Sequence, residues 1–166
     1  MEIKAEGFIF DFPDAIDCIK FDDKDTHGAF HAFKAVDLIV EFPDEYLFIE
    51  IKDPPNGADD YKSARCKHCG HKSSPLNELK NSLVRKYRDS WVYRYCQDKT
   101  GKPMTYVCLV TIDSALIMHM VPTMKSELPL GIAVDKWHKT ILDRFYMVNL
   151  SAWERKLHTY GSCRRE

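Results

Sequence analysis

A chain of 166 residues with 45% hydrophobic, 12% aromatic and 30% charged residues has the length of one domain and enough apolar mass to bury a core. That excludes a disordered or fibrous protein and removes the need for a disulfide or metal scaffold. The net charge of −1 hides an asymmetry: residues 1–60 carry 16 Asp and Glu against 5 Lys and Arg, whereas residues 61–166 carry 9 against 19.

No apolar run approaches the roughly 20 residues that span a bilayer. The opening MEIKAEGFIFDF has acids where a signal peptide has bases and then an apolar stretch, so a cytoplasmic protein with no membrane partner is expected. Its six cysteines then read as thiols or metal ligands rather than disulfides.

In chain order, Gly7–Phe12 and Ala15–Phe21 read as strands, with Asp22–Gly28 as a polar turn. Phe33–Phe42 (FKAVDLIVEF) and Tyr46–Lys52 (YLFIEIK), separated by Pro43-Asp44-Glu45, read as an antiparallel hairpin. Pro54–Pro75 is a 22-residue segment with little apolar content, expected as a surface insertion. Leu76, Leu79, Leu83, Tyr87 and Trp91 repeat at helical spacing, with Ser74-Pro75 at the start and an end near Gln97. Thr105–Ile112 is a buried mid-sheet strand; Ser114–Lys125 and Val134–Leu142 are helical; Phe145–Leu150 is a strand. Ser151-Ala152-Trp153-Glu154 reads as a capping box opening a last helix, and Arg164-Arg165 as a frayed tail. The expected fold is α/β (mixed α+β), one domain over residues 1–166, with a central mixed β-sheet, helices on its faces, and residues 113–166 as a C-terminal addition.

Three charged residues interrupt the hairpin: Asp37 in AVDLIV, and Glu50 and Lys52 in LFIEIKD. Alternation along a strand puts Glu50 and Lys52 on one face and Leu47, Ile49 and Ile51 on the other. The tight turn brings Asp37 within reach of the polar face. Hard divalent cations such as Mg²⁺ or Mn²⁺ take oxygen ligands, so Asp37, Glu50 and the backbone carbonyl of Ile51 form a candidate metal set. Lys52 is placed to orient or deprotonate an attacking water and to offset charge on a scissile phosphate, as phosphodiester hydrolysis requires. Otherwise Glu50 and Lys52 are a same-face pair on a wet sheet, with Asp37 their neighbour.

Asp37 followed by Glu50-Ile51-Lys52 resembles the signature of the PD-(D/E)XK nuclease superfamily, with Val36 where its name-giving proline would stand. The order of strands before residue 53, a helix from 76 and a strand from 105 is similar to that superfamily's αβββαβ, restriction-endonuclease-like core, over roughly residues 15–112. The resemblance implies metal binding by Asp37 and Glu50, assistance to the attacking water by Lys52, and DNA as the favoured substrate. The superfamily's N-terminal helix, often the source of another acid, is not visible here; Asp14 or Asp17 stand in that region. A member that has lost catalysis and only binds nucleic acid or protein would look almost the same. So would a subunit of a defence or repair complex that is active only with its partner.

Cys66-Lys67-His68-Cys69-Gly70-His71 reads as half of a zinc site, Cys66 and Cys69 with His71 or His68, which Cys96, Cys163, a distant histidine or a partner chain would have to close. Bound Zn²⁺ would order the insertion. On the long helix Lys80, Lys86 and Arg88, interleaved with Trp91, Tyr93 and Tyr95, are candidate phosphate contacts for a nucleic acid. The short chain leaves little room for a separate specificity domain, which points to modest selectivity, a homodimer or a protein partner.

Overall fold

Strand-forming residues dominate the first 52 positions, and a computed structural model, describing residues 1–26, 33–55, 57, 59, 64–65, 72–73, 75–131 and 135–166, builds them into two sheets rather than one. The elements are β1 (Glu2–Ala5), β2 (Phe8–Asp11), β3 (Asp17–Lys20), β4 (Leu38–Glu41), β5 (Tyr46–Lys52), β6 (Ala64–Arg65), β7 (Lys72–Ser73), α1 (Pro75–Cys96), β8 (Met104–Val110), α2 (Ser114–Glu127), β9 (Arg144–Val148), α3 (Leu150–Lys156) and β10 (Ser162–Arg165). The main sheet runs β3-β4-β5-β8-β9. Its β3, β4 and β5 pair antiparallel, while β5, β8 and β9 run parallel. The mixed α/β character expected from the sequence is what the chain adopts.

β5, third of five strands, has a side-chain period of two that separates two cores. Phe48 faces the crossover helices and packs with Leu83, Tyr87 and Tyr106. Leu47 and Ile49 face the opposite way, toward Phe8, Phe10, Phe12 and Trp153. The two longer helices, α1 and α2, therefore cover one face. The other is covered by a second antiparallel sheet, β1-β2-β10, together with α3. This sheet opens on a two-residue turn, Glu6 and Gly7, both at positive φ (49° and 78°) between paired Ala5 and Phe8. That conformation matches strand twist in a tight hairpin.

Three local expectations are corrected. Arg164 and Arg165 are not frayed but lie in β10, where Arg165 makes two 2.9 Å hydrogen bonds to the Asp53 carboxylate and Arg164 reaches Glu2. Residues 135–142 form turns and bends, with Leu142 bridging to Leu130, rather than a helix; Val134 is outside the described residues. The apolar spacing there serves separate contacts: Trp137 and Ile141 face α1, and the Asp143 carboxylate accepts from the Thr140 hydroxyl and the Met104 amide. So short a stretch of weak helix formers yields to such contacts. Finally, α3 is capped by Asn149, whose side chain accepts from the Ala152 amide at 3.0 Å, two residues earlier than the Ser151 box. The described residues include no helix long and apolar enough to cross a membrane.

Candidate functional site

Open sheets with parallel strands bind ligands at the carboxyl ends of those strands, and here that edge collects the polar residues of the hairpin. Asp37 directly precedes β4, whose register pairs Leu38 with Ile49, so Asp37 falls opposite Glu50. It is held from both sides: its Oδ2 accepts the Ile51 amide at 2.5 Å, and its carbonyl accepts the Phe21 amide at 2.9 Å. The N–H and C=O of one strand residue point the same way, so the Ile51 carbonyl lies on the same flank, past the last β4 pair.

Glu50 is fully buried on the α1 face, 0% exposed, and Asp37 is 4% exposed. A charge so placed is costly unless paired. The pairing comes from α1, where Lys86 stands three residues after buried Leu83 and four before buried Ser90, on the helix's inward stripe. Its Nζ donates to Glu50 Oε2 at 2.8 Å and to Asp37 Oδ1 at 3.3 Å. One ammonium is thus shared by both carboxylates. Glu50 Oε1 lies 2.6 Å from both Lys86 Nζ and Lys52 Nζ.

A third carboxylate joins them. Asp22 follows the end of β3 and stands close enough to Asp37 for a side-chain hydrogen bond. Burial, then the Asp37 charge, push the Asp22 carboxyl up to about 6. Burial and the same Asp37 charge push Glu50 up to about 7, against the pull of Lys86 and Lys52. For Lys86 burial acts downward, but Glu50 and Asp37 outweigh it and the ammonium titrates above its ordinary range. Three acids and two ammonium groups therefore occupy one end of the sheet, with the acids in excess.

Asp37, Glu50 and Lys52 come together as the sequence places them; Lys86, read there as a phosphate contact, instead joins them and touches both carboxylates. Lys80 and Arg88 are elsewhere. Lys80 bridges to Glu127 at 3.1 Å between α1 and α2, and Arg88 is exposed on the outer side of α1 beside Trp91. Asp17 is no substitute acid, since it pairs with Glu41 at the far end of β4 from Asp37. Sequence reading missed Asp22, for which the signal was its position just past a strand that pairs beside Asp37. Cys66, Cys69 and His71 lie outside the described residues, as does His68. Cys163 is buried in the second core, where burial pushes its thiol up to about 12, an environment that disfavours the thiolate zinc needs.

The donor set fits a hard cation in its simplest form. Among the described residues no group of three or more His, Cys, Asp and Glu side chains is arranged to hold a metal ion. Asp37, Glu50 and the Ile51 carbonyl are the oxygen donors a hard cation would take here, a sparse set of the kind Mg²⁺ commonly uses with water. Comparison with family models, with curated proteins and with solved structures returns no match.

Proposed function

We propose that the chain is a metal-dependent phosphodiesterase, a nuclease of the PD-(D/E)XK kind with DNA as substrate. The observation that carries this reading is the Lys86 ammonium shared by Asp37 and Glu50: two buried carboxylates converge on the space of one cation, with a second lysine on the same glutamate. Asp37, Glu50 and the Ile51 carbonyl would hold Mg²⁺ or Mn²⁺, which when bound supplies charge opposite the phosphate and lowers the pKa of water.

The remaining roles belong to the chain itself. Lys52, whose side chain is 29% exposed, presents its ammonium where the buried cluster meets solvent, suited to hold a phosphate oxygen and to exchange a proton with the attacking water. Lys86 keeps the two carboxylates from repelling one another before substrate arrives. Asp22 adds negative charge beside Asp37 and draws cations to the site. The basic α1 and C-terminal segments favour approach of a polyanion.

The test is cleavage of supercoiled and single-stranded DNA with Mg²⁺ or Mn²⁺ by the wild type, Asp37→Ala and Lys52→Ala. Metal-dependent cutting lost in both variants is expected; cutting that survives both contradicts the reading. A second reading, a nuclease-fold module that binds nucleic acid or a protein without cutting, draws support from the two ammonium groups already gathered on Glu50. It predicts no metal binding that depends on Asp37.

A further inference from the structure

On the opposite end of the main sheet, where β8 and β9 begin, three adjoining concavities of about 450, 420 and 440 Å³ share Trp91 as a common wall. Trp137 lines the first two. Tyr95, 59% exposed, stacks on Trp91 with ring centroids 5.4 Å apart and planes 15° from parallel. Trp91 packs one side against the core, and it and Trp137 are half-buried, so each leaves part of its ring at the surface beside the exposed Tyr95.

The unmatched charge around these rings is positive. Arg88 borders the first concavity, and His138 and Lys139 border the other two. Arg88 and Lys139 are exposed, and among the described residues neither enters an ion pair. The acids nearby are already engaged. Glu127 bridges to Lys80, and Asp143 accepts from Thr140 and the Met104 amide. Flat π-faces beside unmatched cations are the combination that holds single strands, bases stacking on the rings while phosphates meet the bases of the protein. A proline-rich peptide also seeks aromatic grooves, but gains nothing from the cations.

The geometry points to a single-stranded nucleic-acid binding groove formed by Trp91, Tyr95 and Trp137 with Arg88 and Lys139. In-register pairing of Tyr46 with Met104 and of Glu50 with Cys108 sets the Met104 end of the groove four residues from Glu50, about 13 Å at ~3.3 Å per residue. It is therefore a second contact surface, and it stands whether or not the carboxylate site cuts DNA.

The test uses the whole chain in EDTA and a fluorescein-labelled oligothymidylate, followed by anisotropy and by quenching of tryptophan fluorescence. Binding with quenching is expected, weakened about tenfold in Trp137→Ala, as loss of one stacked base implies, and at least as much in Arg88→Glu/Lys139→Glu. The exposed charge-reversal pair should melt at the wild-type temperature, which separates lost binding from lost folding. Lys156→Glu, an exposed charge reversal on α3 across the sheet, should bind as the wild type does. Absence of binding, or equal binding by the wild type and both groove variants, would overturn the groove. So would loss confined to Lys52→Ala, which moves the strand to the carboxylate site, or displacement of the oligothymidylate only by a proline-rich peptide.

Discussion

Two buried glutamates of one strand region, Glu45 and Glu50, sit at opposite ends of the main sheet in opposite electrostatic states. Glu45 Oε2 accepts from the Thr105 hydroxyl at 2.9 Å, Arg144 at 2.7 Å and the Tyr160 hydroxyl at 3.0 Å. Arg144 donates in turn to Thr105. One carboxylate meets one guanidinium and two hydroxyls, so the cluster is satisfied and near neutral. Glu50 shares its pocket with two other carboxylates, and two ammonium groups crowd on it at 2.6 Å. The first arrangement ties β8, β9 and the C-terminal segment together. The second is held under charge excess, and groups so perturbed gather where ligands act.

The largest expected contrast follows from deleting the central counter-ion. Lys86→Ala leaves Asp37 and Glu50 facing each other in a buried setting, and should cost about 3–5 kcal/mol in urea unfolding at pH 8. The loss should shrink at pH 5, where Glu50 and Asp22 take up protons. A loss of the same size at both pH values would mean that Lys86 acts through packing alone.

The pH dependence of the wild type comes next. Glu50 and Asp22 titrate higher in the folded chain, at about 7 and about 6, than ordinary Glu and Asp at 4.5 and 3.8. Between those limits the native state binds more protons than the unfolded chain, so stability falls as pH rises from about 4 to 7. Glu50 alone accounts for roughly 3 kcal/mol at about 1.36 kcal/mol per pH unit. Asp37→Asn removes a charge that raises both groups, and chemical denaturation across pH should give a flatter profile for it than for the wild type.

At the satisfied end, Glu45→Gln should cost only about 1–2 kcal/mol, with little change between pH 5 and 8, because Arg144 is partly exposed and can return to water. A large pH-dependent loss there would erase the distinction between the two ends. The smallest effect belongs to Lys80→Ala. Its partner Glu127 is 48% exposed and keeps its hydration when the pair is lost, so stability should move by less than about 1 kcal/mol and cleavage rates not at all.

The contrast also shows which features were legible in the sequence. Asp37, Glu50 and Lys52 stood out because each breaks an apolar strand whose period is otherwise plain, and α1 because its leucines repeat every three or four residues. Lys86 was visible as a basic residue, but its inward direction becomes clear only once Leu83 and Ser90 are seen buried beside it. Asp22 looked like one acid among several in a polar turn, since its meaning depends on β3 pairing with β4. The second sheet was hidden for a different reason: β1 and β10 are four-residue strands joined through β2 across nearly the whole chain, and short segments carry little period to read. Glu45 resembled a turn residue, because its partners Thr105, Arg144 and Tyr160 are distant in sequence.

The central claim, that Asp37 and Glu50 share one cation site, is tested most directly by calorimetric titration of Mn²⁺ into the wild type, Asp37→Asn, Glu50→Gln and Lys52→Ala. One ion bound by the wild type and by Lys52→Ala, lost in both carboxylate variants and accompanied by proton release near pH 7, is the predicted result. Equal Mn²⁺ binding by all four proteins, or none by the folded wild type, would contradict it.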